Sequence, residues 1–551
     1  MATPTEARIA LAQKLAGLTG RKKVDALLDA QDPRALVRSL PAEDLYFTLK
    51  EVGLDDAQEL VTLASPAQFR SFVDLDCWRR EGLQPRAVLP WLRTALEGDD
   101  FAQKLKALDV EIVELLLRET VDVWDREEDP DREPLGHPWT SPEGRYVLDF
   151  KLEGEDLQAL QRVVGTYYEE DPLQAVRFLE AVRWELPSEL EETALRFRTG
   201  RMADLGFPEL EHALKLYAYV DPDAALPTES SRPAEPPGFF LQSLGSRGFL
   251  DEALALLPAD GPLRIDRELV YVFNGALVAD GVEPGDLDGV RRQLAAARDH
   301  LALGLEYAAQ GDAKRGAELL LTAPIARIFQ VASGLTLKRK FRADRLVQGG
   351  FAGFPGAKNT SWFDAPLGAA IEGLRRKRPQ LAVALEREGG GHELRPFRSR
   401  KDLALVDAAL ERAEALAQLA QRLGLDASQA ERAAKAARAE LYADVRLSEL
   451  VIHLALQGRG KPVEALVPFK PKAVVDAASW ALVGDKASPE LERALRQALA
   501  GAARTDVEKQ MARELGDYAM VRASEELGVL RGEAAPEAAL LAGLPLLVSP
   551  G

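Results

Sequence analysis

Between Lys338 and Lys401 the sequence places cations and aromatic rings close together, a combination that can neutralise phosphates while stacking on bases. Lys338, Arg339, Lys340, Arg342 and Arg345 precede a glycine- and aromatic-rich stretch, VQGGFAGFPGAKNTSWFDAPLG (347–368), which carries Phe351, Phe354, Trp362 and Phe363. Arg375, Arg376, Lys377, Arg378, Arg395, Arg398, Arg400 and Lys401 follow it. From Asp312 to Lys401 eighteen bases meet eight acids, in a chain whose formal net charge is −18. That overall charge argues against a general nucleic-acid binder, so the segment stands out. The same cations suit RNA, a small anion or an acidic protein. The plainer alternative is that they are solvated, or pair with the acidic stretch 97–133, where fourteen acids meet five bases.

Other residue types offer less. Gly349-Gly350-Phe351-Ala352-Gly353 lacks the lysine and hydroxyl residue of a phosphate loop, and RADRLVQ before it does not read as a buried strand. The histidines at 137, 212, 300, 392 and 453 have no second histidine at helical ligand spacing. His212 and His453 fall in amphipathic helices and are expected to be packed or interfacial. Glu127, Glu128, Asp129 and Asp131 lack the ligand order of a calcium loop and read as a solvated linker. Cys77, the only cysteine, sits beside Trp78 in an apolar helix and reads as a buried structural thiol. No metal, cofactor or catalytic set is predicted.

The elements around these residues follow one grammar. Ser65-Pro66-Ala67-Gln68 fits a capped helix start, and Leu40-Pro41-Ala42-Glu43 carries the same punctuation twenty-five residues earlier. Leu45, Tyr46, Leu49 and Val52, then Phe69, Phe72 and Val73, recur at helical spacing. Each helix of the stretch Arg34–Leu96 is too short to bury its stripe alone, which points to stacked helical repeats. This stretch resembles the N-terminal superhelical domain of MgtE-type magnesium transporters, at the level of fold. The chain as a whole is similar to an uncharacterised bacterial family of unknown function, through Leu205-Gly206-Phe207-Pro208 and Leu277-Val278-Ala279-Asp280-Gly281. That similarity supplies no activity.

The sequence therefore predicts a mostly all-α protein of stacked short helices in a solenoid-like arrangement, with several subdomains and one minor β element near 146–152. The expected divisions are a helical repeat domain at 1–124, a polar linker and strand at 125–152, and helical subdomains at 153–226 and 239–346 around a proline-rich linker at 227–238. The glycine-aromatic loop (347–368), a C-terminal helical domain (369–530) and a tail (531–551) complete the list. The helix opened by Asp109 is expected to continue through Trp124, and Trp78, Trp91 and Trp124 to act as packing pegs. No run of apolar residues is long enough to cross a membrane, and a lone cysteine suits a reducing cytoplasm. Three readings stay open. They are a non-enzymatic scaffold binding a protein partner, possible homo-oligomer included; an RNA- or anion-binding factor using 338–401; and an enzyme whose site converges from distant helices.

Overall fold

The computed structural model describes residues 20–227, 248–257, 262–348, 363–387, 389–425 and 446–530, together with 18, 432 and 546–549. Expectations placed on Phe351, Phe354, Trp362, most of the 227–238 linker and most of the tail fall outside these residues. The described chain is mostly helical with a few small strand pairs. It divides into two compact units: Met1–Ala218 with Ala225–Leu301 and Gly311–Gln330, and Tyr219–Ala224 with Ala302–Gln310 and Val331–Gly551.

In the first unit α1 (Gly20–Leu28), α2 (Pro33–Ser39), α3 (Ala42–Val52), α4 (Gln58–Leu63) and α5 (Pro66–Asp76) run to a hairpin of β1 (Trp78–Arg79) and β2 (Gly82–Leu83). Ser65 and Gln68 form the expected capping box at the start of α5. Gln68 does more than cap, because its amide Nε2 donates to the carbonyls of Val37 (3.0 Å) and Leu40 (2.8 Å), tying α5 to the end of α2. Pro41 differs from Pro66: it occupies the N-cap of α3 and supplies no side-chain bond, so the two prolines do not open their helices alike. The core of this unit gathers Tyr46, Phe69, Phe72, Trp78 and Trp91, all buried. Asp76 accepts from the Tyr46 hydroxyl (2.8 Å) and the Trp91 indole (3.0 Å), which satisfies the polar ends of these two rings.

After α6 (Leu89–Leu96) and α7 (Phe101–Ala107), α8 (Val110–Thr120) stops short of Trp124. Val121–Asp125 is strand β3, paired antiparallel with β5 (Tyr146–Phe150), whose other edge takes β4 (His137–Thr140). The single expected strand is thus a three-stranded sheet, and the expected helix ends where Val121 and Val123 begin to alternate with Asp122. The supposed polar linker is folded back by Asp149, whose carboxylate accepts from the backbone of Leu135 (2.6 Å) and Gly136 (2.9 Å) and lays β4 along β5. Trp124 is buried there as expected, on a strand instead of a helix. The unit continues through α9 (Gly154–Glu170), α10 (Pro172–Trp184), α11 (Pro187–Asp204), α12 (Leu210–Lys215), α13 (Phe249–Leu254), α14 (Pro262–Asp280), most of α15 (Leu287–Ala308), α16 (Ala313–Thr322) and the start of α17 (Ile325–Leu346).

The second unit holds the rest of α17, then α18 (Leu367–Arg375), β6 (Leu381–Ala382), β7 (Leu394–Arg395), α19 (Arg400–Arg422), α20 (Leu447–Gly458), α21 (Pro471–Ala481), β8 (Leu482–Val483), β9 (Lys486–Ala487), α22 (Pro489–Ala502) and α23 (Asp506–Leu527). Helix α23 is its axis, burying Met511, Leu515, Ala519 and Ala523 against α19, α20 and α22. Residues 546–549 return to this core, where Phe469 and Val548 form a parallel bridge. Among the described residues no helix is long and apolar enough to cross a membrane.

Candidate partner-binding groove

The cations of α17 do not form an open basic face. Lys338 reaches Asp221 and Asp223, each at 3.1 Å. Arg339 pairs with Asp407. Lys340 donates to the Arg375 carbonyl (2.8 Å) and lies 3.4 Å from Asp344, and Arg375 lies 3.3 Å from the same carboxylate. Arg342 forks onto both oxygens of Glu414 (3.1 Å each) and touches Asp407 (3.3 Å). That bond to Glu414, joined by the charge of Asp407, holds its guanidinium above the usual arginine range. The carboxylate partners come from 221, 223, 344, 407 and 414, not from the acidic stretch 97–133.

Of the remaining predicted site residues, Arg345 is exposed and donates only a long bond (3.4 Å) to the Phe341 carbonyl. Arg376 and Lys377 are exposed just after α18, and Arg378 is half-buried. Arg395 is held by Glu386 and Asp402. Arg398 and Arg400 are exposed; their backbone amides bond to Asp402 (2.7 Å) and Glu306 (2.9 Å). Phe363 is buried and belongs to the core.

What α17 does shape is a groove of about 600 Å³. Arg342, Arg345 and Leu346 form one wall, Glu411, Glu414, Gln418 and Gln421 of α19 the second, and Thr505, Val507 and Glu508 at the start of α23 the third. Thr505 and Glu508 make a capping box. Glu508 is pinned by Arg422 (2.7 Å) and by the backbone amides of Arg504 (2.7 Å) and Thr505 (3.1 Å), which pull its carboxyl down to about 2. Two signals for this groove lay unused in the sequence: the polar residues 411, 414, 418 and 421, which share a helix face, and the Thr-x-x-Glu box at 505–508.

Two other charge clusters are closed. In the first unit Arg201 bridges Asp74 and Asp109, each at 2.6 Å. In the second, Asp364 accepts from the Ser448 hydroxyl (2.6 Å), and Arg522 links Ser448 (2.9 Å) to Glu449 (2.8 Å). Burial raises the carboxyls of both Asp364 and Glu449. Ser448 is itself fully buried, beyond reach of a substrate. Cys77 is buried as expected, and that burial pushes its thiol well up. His453 is packed as expected, whereas His212 is exposed beside Glu209 and is not packed within the chain. Among the described residues no three of His, Cys, Asp and Glu group so as to hold a metal ion.

No curated protein and no solved structure matches the chain, so the likeness of 34–96 to a transporter superhelix finds no counterpart among them. The model of one family, described as a family of unknown function (DUF6178), matches residues 5–546, and the chain belongs to that family.

Proposed function

We propose that this protein is a non-enzymatic cytoplasmic scaffold or adaptor that binds a protein partner, with the α17–α19–α23 groove as its seat. The observation that carries this reading is the groove's mixed lining. Arginine, glutamate and glutamine side chains sit on three packed helices, with Leu346 and Val507 between them. A nucleic-acid site draws its affinity from cations free to displace counterions. Here most cations of α17 already face carboxylates, so a partner gains more from matched polar pairs and steering than from net charge. Both signs of charge on one surface suit a protein segment carrying its own acids, bases and amides.

A second reading, an RNA- or anion-binding factor, draws on the exposed Arg376, Lys377, Arg398 and Arg400. Affinity purification of the full chain, with protein and nucleic acid both identified, separates the two. The scaffold reading expects a defined protein whose affinity, remeasured with purified components, falls at least tenfold in Glu411→Arg/Gln418→Arg, about 1.4 kcal/mol. RNA recovered instead, released steeply by salt and lost in Arg376→Ala/Lys377→Ala, replaces it with the second.

A further inference from the structure

One stripe of α17 already holds a peptide. Gly334, Lys338 and Phe341 recur at helical spacing, and residues 219–224 of the same unit, Tyr-Val-Asp-Pro-Asp-Ala, lie against them. A Cβ at position 334 would overlap the Val220 carbonyl oxygen and stand 3.2 Å from Pro222, so only glycine lets the segment so close. Lys338 bridges the carboxylates of Asp221 and Asp223. The Tyr307 hydroxyl, from the neighbouring turn of α15, donates to Asp223 at 2.6 Å. The Tyr219 and Phe341 rings meet at 5.9 Å.

The segment is more than eighty residues in sequence from Tyr307, Gly334, Lys338 and Phe341, and ion pairs, a hydrogen bond and a ring contact from its own side chains hold it against them. We infer that the Tyr307–Gly334–Lys338–Phe341 surface is a recognition site for short acidic peptides bearing a tyrosine, with residues 219–224 as its resident ligand. Each element of the site reads one feature. Gly334 admits the backbone, Lys338 and Tyr307 read two carboxylates spaced i and i+2, and Phe341 takes the tyrosine. The charged part of the contact is open to water, Lys338 being 41% and the two aspartates about 60% exposed, while Pro222 between them is buried, so exchange costs the burial of one proline. Arg345, one turn beyond Phe341 and exposed, extends the track for a longer acidic ligand towards the groove.

An external peptide must compete with a tethered one, whose effective concentration is on the order of millimolar. Saturation-transfer NMR of the full chain with the peptide Ala-Tyr-Val-Asp-Pro-Asp-Ala-Ala, residues 218–225, tests this. In Asp221→Asn/Asp223→Asn the resident loses its ion pairs, and the peptide should bind at least tenfold more tightly than to wild type. Adding Lys338→Glu should abolish that gain, as should adding Gly334→Ala, which blocks the backbone approach. Circular dichroism checks that each variant is folded. Equal binding by wild type and the double asparagine variant, or binding indifferent to Lys338→Glu, overturns the inference. Because Glu411→Arg/Gln418→Arg leaves this stripe intact, failure here and failure of the groove reading are told apart.

Discussion

Arg201 and Arg342 each hold two carboxylates, but burial separates them. Arg201 forks onto Asp74 and closes on Asp109, with four contacts between 2.6 and 3.0 Å. Asp74 is almost wholly out of solvent, on α5, while Asp109 stands at the N-cap position of α8 without a capping side-chain bond and Arg201 comes from α11. Arg342 makes contacts of 3.1–3.3 Å to Glu414 and Asp407, with more than a third of each carboxylate side chain open to water. Coulomb attraction grows as dielectric falls, but so does the cost of leaving a charge alone. The first arrangement locks three helices. The second is a partly exposed pair, of the kind worth little to stability.

The largest test of this contrast is Arg201→Ala. It strands Asp74 and Asp109 without their cation, and should lower stability by about 3–5 kcal/mol in urea unfolding followed by circular dichroism. A loss under about 1 kcal/mol would place Arg201 with the surface pairs and erase the distinction.

Next comes a buried group in the second unit, which asks whether burial and not location sets the scale. His453 lies on α20, its Nε2 2.9 Å from the Val467 carbonyl and its Nδ1 accepting the Leu547 amide at 3.4 Å, with the Phe469 ring 4.7 Å away. Burial lowers its imidazole from 6.5 to about 4. The unfolded chain therefore binds the proton more readily than the native one. Stability is full above pH 6.5 and falls as pH drops towards 4, by about 3 kcal/mol in all. The His453→Gln variant, which keeps a donor and an acceptor but cannot titrate, should lose that slope between pH 6.5 and 4. An unchanged slope would mean that carboxylates elsewhere set it.

These contrasts also mark what sequence could reveal. The helix starts were legible because caps are local: Ser65, Pro66 and Gln68 lie within four residues and carry their own hydrogen-bond logic. The two-residue hairpins were not, since a pair such as Trp78↔Leu83 is too short to show a period. Strand β3 was missed for another reason. Val121 and Val123 continue an apolar helix pattern, and only pairing with Phe150 and Leu148 more than twenty residues on decides between helix and strand. The cations of the candidate site were visible one by one, but their neutralisation was not. The partners of Lys338 precede it by more than a hundred residues and those of Arg342 follow by more than sixty, separations at which charge in a sequence carries no pairing information.

The smallest effect sharpens the contrast from the other side. If the Arg342–Glu414 pair is exchangeable, a double-mutant cycle of Arg342→Ala and Glu414→Ala should give a coupling of about 0.2–1 kcal/mol, the range of exposed pairs. Raising salt from about 0.1 M to 1 M shortens the screening length from about 10 Å to 3 Å and should remove most of it. The cycle isolates the pair only if Asp407 does not take over the freed charge, and Arg342 lies 3.3 Å from it. Repeating the cycle in Asp407→Asn settles that point, because a coupling that rises there shows Asp407 had been sharing the guanidinium. A coupling above about 2 kcal/mol that ignores salt would make the pair a lock like Arg201. The wall of the groove would then be fixed, and a partner would have to fit it as it stands.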